Sequence, residues 1–162
     1  MLLDVGSGSQ PHPELDVGCD LYFSAHLEGG IVAFTDNFVI CDAHNLPFRT
    51  KAFSKVTCRH VMEHLKEPRI CFIELKRVAH SGEIEVPRLI YEELLCGFPY
   101  HQWTFIKKKG KLYFRKPNKM KINNSTIIPL GWATHKITLH KKFSWLVMSI
   151  RRIPIFNLKY RW

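Results

Sequence analysis

Five short apolar runs punctuate the first half of the chain, and each ends on a turn or a polar residue. Leu2 to Val5 runs into Gly6-Ser7-Gly8-Ser9, Leu15 to Cys19 ends at Asp20, and Phe38 to Cys41 ends at Asp42. Val56 to Cys58 ends at Arg59 and His60, and Ile84 to Val86 ends at Pro87. Continuous apolar runs this short suit strands covered on both faces, as in a parallel sheet. A helix is predicted from Pro68, since proline is pre-organised for the first helical position. Its apolar face would be Ile70, Ile73 and Val78, with Phe72 and Leu75 alongside. Lys76, Arg77 and His80 favour its C-terminal end, and Gly82 is the expected stop. A second helix is predicted over Leu89 to Leu95, ending at Gly97. The stretch between the first two strands is too short for a full helix, and Pro11 and Pro13 break it further. Beyond Trp103, Thr104 to Ile106 and Lys111 to Phe114 flank Lys109-Gly110 and read as a hairpin. Phe143 to Ile150 is apolar between Lys141, Lys142, Arg151 and Arg152. It reads as a terminal helix or strand packing on the sheet, or as a basic membrane-surface helix. The predicted fold is α/β: a mostly parallel sheet with flanking helices and an antiparallel hairpin in the C-terminal part.

Composition adds a charge asymmetry to this picture. The 162 residues suit a single domain, and an apolar fraction of 46% excludes disorder throughout. The net charge is +10, yet all 14 carboxylates precede Tyr100. The basic C-terminal half predicts either an anionic partner or a merely solvated face. The cysteines Cys19, Cys41, Cys58, Cys71 and Cys96 form no C-x-x-C pair and sit mostly among apolar neighbours. They read as reduced core thiols, which predicts a cytoplasmic location. The N-terminus lacks a basic n-region, and no stretch approaches the roughly 18 uncharged apolar residues of a membrane span.

The candidate chemistry lies at the ends of the predicted strands. Gly6 and Gly8 permit positive φ and close approach of backbone to a ligand. The dinucleotide fingerprint is not met, because Pro11 stands at its third glycine position, and no Gly-Lys-Ser/Thr makes a P-loop. Asp20 stands where a carboxylate accepts hydrogen bonds from a ribose diol. Asp42, followed by Ala43, stands where one accepts from an adenine amino group. His60, Glu63 and His64 have the H-x-x-E-H order of inverted zinc proteases, and His60 and His64 share a face if the stretch is helical. His60 is also a candidate general base. His101, with Gln102 and Trp103 after the Gly97-Phe98-Pro99-Tyr100 turn, lines an acceptor pocket or forms a core pair.

Taken in order, these segments resemble the class I S-adenosylmethionine-dependent methyltransferases, in their type 11 branch. The resemblance runs through Leu3-Asp4-Val5-Gly6-Ser7-Gly8, Val17-Gly18-Cys19-Asp20, Cys41-Asp42-Ala43-His44-Asn45-Leu46-Pro47-Phe48 and Phe53-Ser54-Lys55-Val56. It continues through His60-Val61-Met62-Glu63-His64-Leu65 and Glu74 to Gly82, covering about the first 87 residues. It implies a Rossmann-like sheet in one domain, with a cofactor-binding half over 1–87 and an acceptor-side, basic half over 88–162. It implies that Asp4, Gly6, Ser7 and Gly8 cradle the methionine part of S-adenosylmethionine. Asp20 would hold the ribose, Leu21 would flank the adenine, Asp42 and Ala43 would meet it, and His60 would lie near the cofactor. The same letters occur in the family without metal, so no metal site is expected. Ser54 departs from the family's usual Asp, and His80-Ser81-Gly82 from its paired glycines. The implied activity is methyl transfer to a small-molecule acceptor. Two alternatives stand beside it: a catalytically silent S-adenosylmethionine-binding partner subunit, and a nucleic-acid-binding protein. The last is motivated by Trp132, Trp145, Tyr160 and Trp162 among the C-terminal cations.

Overall fold

A computed structural model describes residues 1–22, 26–27, 30–31, 35–89, 101–117 and 157–162. The elements are β1 (Leu2–Val5), β2 (Val17–Asp20), β3 (His26–Leu27), β4 (Gly30–Ile31), β5 (Phe38–Ile40), β6 (Phe53–Arg59), α1 (Pro68–Val78), β7 (Ala79–Pro87), β8 (Thr104–Lys108), β9 (Lys111–Arg115) and β10 (Asn157–Arg161). They fall into two compact units. One comprises Met1–Glu85 with Lys159–Trp162, and the other Val86–Leu158.

The main sheet has the order β10-β7-β6-β1-β2-β5. β1 pairs in parallel with both β2 and β6, β2 with β5, and β6 with β7. Gly82 and Trp162 exchange both backbone hydrogen bonds at 3.2 Å, the signature of an antiparallel pair, so β10 runs against its neighbour. This is the mostly parallel α/β sheet that the apolar runs predict. The sequence order reverses outward from β1, and such a switch point opens a crevice at the carboxyl ends of the strands. β1 is buried at every position, as a central strand must be.

α1 begins at Pro68 as predicted, but its buried face is Pro68, Cys71, Leu75 and Val78. Ile70 and Ile73 are 46% and 56% exposed, so they do not belong to the core face. Gly82 is not the helix stop. The helix ends at Val78, and Ala79 is already extended as the first residue of β7. No loop is needed because Lys51 satisfies the helix end. Its Nζ donates to the carbonyls of Lys76 and Ala79 at 2.9 and 2.6 Å. Orphan C-terminal carbonyls are thereby paired with a cation that also suits the helix dipole.

The 6–16 segment contains no helix, as its length and prolines predict. Tyr160 and Trp162 are half-buried against α1 rather than displayed. Their rings lie 6.0 and 5.6 Å from that of Phe72. In the second unit, β8 and β9 form the predicted hairpin, with Lys109 and Gly110 in the turn at φ 48° and 74°. The predicted Leu89–Leu95 helix beyond its first residue, Phe143–Ile150, Trp132 and Trp145 lie outside the described residues. No helix among the described residues is long and apolar enough to cross a membrane.

Candidate functional site

The candidate site is built from the loops that leave β1, β2, β5 and β6. Gly6 takes φ +70° and Gly8 φ +53°, where a side chain is strained. A Cβ on Gly6 would lie 2.0 Å from Val61 Cγ2, so the turn after β6 closes directly onto the turn after β1. At Gly8 an added Cβ would stand 3.8 Å from the Gly6 carbonyl oxygen, an ordinary contact. Gly6 and Ser7 both donate their amides to the Cys19 carbonyl, at 2.8 and 3.1 Å, which ties this turn to the end of β2. Ser7 is buried, and its Oγ has no hydrogen-bond partner among the described residues.

Asp20 links the same two loops through its side chain. Its Oδ2 accepts the Gly8 N–H at 3.0 Å, and its Oδ1 accepts the Leu21 N–H at 2.7 Å. Leu21 itself is half exposed. Asp4 lies one layer deeper, 1% exposed. Its Oδ1 accepts from Thr57 Oγ1 at 2.6 Å, while Oδ2 accepts from the His12 N–H at 2.7 Å and from Arg59 at 3.2 Å. Arg59 also donates to the Gln10 carbonyl at 2.8 Å. Asp4 therefore shapes the helix-less 8–12 loop from beneath. Its oxygens are taken by the protein.

Asp42 begins a loop strapped along α1. Its Oδ1 accepts the His44 N–H at 2.8 Å and faces His44 Nδ1 at 2.6 Å. Chiefly the backbone N–H of His44 holds the Asp42 carboxyl below the usual carboxylate range. With Nδ1 donating to Asp42, His44 Nε2 is left to accept the Glu67 N–H at 3.3 Å, at the start of α1. Ala43 is buried beside it. Farther along, Glu74 and Arg77 grip the loop. Glu74 accepts the Leu46 N–H at 2.9 Å, and Arg77 donates to the carbonyls of Phe48 and Leu46 at 2.6 and 2.8 Å. The pair is itself bidentate, at 2.7 Å for both bonds, and Arg77 keeps the Glu74 carboxyl low. The clamp was not singled out from the sequence. Its only linear signal is an acid and a base three residues apart on a helix.

His60 follows β6 at φ 55°, unusual for a side-chain-bearing residue. Its ring is 40% exposed and spans two carboxylates, Glu63 Oε1 at 3.3 Å and Glu85 Oε1 at 3.8 Å. Burial favours the neutral ring, yet hydrogen bonds to Glu63 and Glu85 outweigh it and raise the pKa to about 9. His60 and then Lys159 lower Glu85 to about 2. An imidazolium at neutral pH has no lone pair to take a proton, which weighs against the role of general base. The stretch after His60 is a turn closed by His64 N–H to the Val61 carbonyl at 3.0 Å, not a helix. His60 and His64 therefore do not share a helical face. His101 belongs to the second unit and is 4% exposed, buried rather than in an open turn.

The sequence profile of the methyltransferase domain family matches residues 3–84, half of the chain. The chain belongs to that family. Among solved structures, a methyltransferase dependent on S-adenosylmethionine from Thermotoga maritima is 14% identical, with a TM-score of 0.45 over 58% of this chain and 50% of that one. The PH0226 protein of Pyrococcus horikoshii is 19% identical, with a TM-score of 0.45 over 70% of this chain and 64% of that one. A further methyltransferase of this kind, from Mesorhizobium loti, is 12% identical, with a TM-score of 0.43 over 74% and 58%. The chain spans about half the length of the first of these. No curated protein matches the sequence. The methyltransferase-domain match covers β1 through β6, α1 and most of β7, and thus every loop of the candidate site in the first unit.

Proposed function

We propose that the chain binds S-adenosylmethionine at the carboxyl ends of β1, β2 and β5 and transfers its methyl group to a small-molecule acceptor. The observation that carries this reading is the bond from Gly8 N–H to Asp20 Oδ2, which joins the glycine turn and the acid that ends β2. Gly8 has no side chain and takes φ +53°, so a ligand can approach the backbone of that turn closely. When bound, the cofactor supplies an electrophilic methyl on a sulfonium centre.

In this reading each residue has a separate task. Gly6, Ser7 and Gly8 receive the methionine part, with Asp4 holding the loop that walls it. Asp20 keeps lone pairs for a ribose diol, since a carboxylate offers about four. Asp42 Oδ2 accepts no hydrogen bond from the described residues and so can take an adenine amino group, with Ala43 and Leu21 against the ring. The protonated His60 sets a fixed positive charge at the rim and takes no proton. Direct displacement needs the nucleophile held in line with the methyl, and alignment alone supplies much of the acceleration.

Calorimetry with S-adenosylmethionine tests the reading. Saturable binding is expected, and no heat at millimolar cofactor overturns it. Asp20→Ala should weaken binding by about 1–3 kcal/mol, the cost of losing a charged hydrogen-bond partner. Unchanged affinity would refute the ribose assignment. Binding without turnover across a panel of acceptors would favour the catalytically silent subunit.

A further inference from the structure

The β8–β9 hairpin of the second unit has two unlike faces. Register places Phe105 opposite Phe114, with Trp103 and Lys116 beyond them. On that face Phe105 is fully buried, the Trp103 and Phe114 rings are 5.3 Å apart, and Lys116 Nζ lies 3.9 Å over Trp103, while Phe114 is 36% exposed. The other face carries Lys108 opposite Lys111, then Ile106 opposite Tyr113, and Arg115 at its base. Tyr113 is 51% exposed, and Lys108, Lys111 and Arg115 are exposed around it.

Two like charges directly opposite on a ladder destabilise it. Here Lys108 faces Lys111, and Lys109 sits in the turn between them. None of these three lysines has an ion pair among the described residues. No carboxylate follows Glu93 in the sequence, and none among the described residues pairs with these lysines. An anion bound from outside relieves the local repulsion. The half-exposed ring between cations adds a second requirement, a flat partner. A phosphate backbone bearing unstacked bases meets both, because every base has a π-face and stacking is tolerant of sequence. An anionic membrane fits less well. The apex of the hairpin is Lys108-Lys109-Gly110-Lys111, with no apolar residue to enter a bilayer.

We propose that the outer face of the β8–β9 hairpin, Lys108, Lys111 and Tyr113, is a docking surface for single-stranded nucleic acid. The lysines meet phosphates, and Tyr113 stacks on a base. The surface is independent of the cofactor reading and stands or falls without it.

The test is fluorescence anisotropy of a labelled oligouridylate with the full chain, at about 50 and 200 mM salt. Binding is expected to weaken steeply with salt, because phosphate contacts release counterions. The double variant Lys108→Glu/Lys111→Glu should lose tenfold or more at the lower salt and flatten the salt dependence. Tyr113→Ala should lose about fivefold or more while leaving the salt slope unchanged, and Tyr113→Phe should keep wild-type affinity. If Tyr113→Ala lowers Tm, Tyr113→Leu replaces it, keeping bulk without a π-face. No wild-type binding at low salt overturns the proposal. So does binding indifferent to Tyr113, which would mark a cationic sink; inorganic polyphosphate would then compete as well as RNA. Equal binding to phosphatidylglycerol vesicles that RNA does not displace would overturn it in favour of a membrane surface.

Discussion

Gly6 shows how tightly one residue can be specified. It is held by a positive φ and by the Val61 methyl, which together leave no place for a Cβ. Gly6→Ala should destabilise the protein by roughly 2–3 kcal/mol in urea unfolding, combining left-handed strain with overpacking. Adding Val61→Ala should recover only the packing part. A double variant as weak as the single one would show that the backbone alone sets the cost. His60 makes a prediction about pH. Its folded pKa of about 9 is raised from 6.5, so its stabilising contribution is full below pH 6.5 and is lost as pH rises through 9. The Tm difference between wild type and His60→Gln should therefore be largest below pH 6.5 and close by about pH 10. The contribution of Glu85, lowered to about 2 from 4.5, is full above pH 4.5 and is lost as pH falls through 2. An NMR titration of the ring that shows a midpoint near 6.5 would reject the His60–Glu85 pairing. The positive φ of Gly6 and Gly8 and the place of Asp20 at the end of β2 are legible in the sequence because they follow from chain-local rules. His60's charge is not, since Glu85 reaches it from a neighbouring strand 25 residues on.

α1 acts as a ruler for the loop that begins at Asp42. His44 reaches its first turn, and Glu74 and Arg77 hold Leu46 and Phe48 farther along. Arg77→Met would strip two loop carbonyls and Glu74 of their donor. A loss of about 1–3 kcal/mol is expected, with faster hydrogen exchange at the Leu46 amide. Unchanged protection at Leu46 would show that the loop holds itself. The existence of α1 is plain from Pro68 and its apolar residues, but its inward face is not. Ile70, Phe72, Ile73 and Leu75 spread round the helix, so periodicity does not choose among them. The tertiary contacts choose: Cys71, Leu75 and Val78 go to the sheet, while the C-terminal aromatics cover Phe72. Gly82 misleads for a similar reason. It has the local signature of a helix stop but lies in β7, where the indole of Trp162 fills the space a side chain would need.

At the scale of the whole molecule, the two units differ in charge and in what the sequence reveals of them. The parallel sheet follows from runs of apolar residues, and the hairpin from a Lys-Gly turn. The last strand of the sheet does not, because β10 pairs with a strand some 70 residues earlier and carries alternating cations. Lys159 lies 3.1 Å from Glu85, and Arg161 pairs with Glu83, so the partners of those cations are the acids of β7. Trp162→Ala should uncover Phe72 and the end of β7 and cost roughly 2 kcal/mol, measured by chemical unfolding. A stability unchanged within error would mean that the indole adds nothing to the sheet.

The pairing of Gly82 with Trp162 also sets an order of events during synthesis. The sheet's parallel strands and α1 lie within the first 87 residues and leave the ribosome together. The residues that close their outer edge follow some 70 positions later, so β7 waits with its backbone groups open. A nascent chain at that stage presents an unpaired strand, the template that invites pairing with another chain. Translation speed over the intervening segment should therefore govern how much of the protein is recovered in monomeric form.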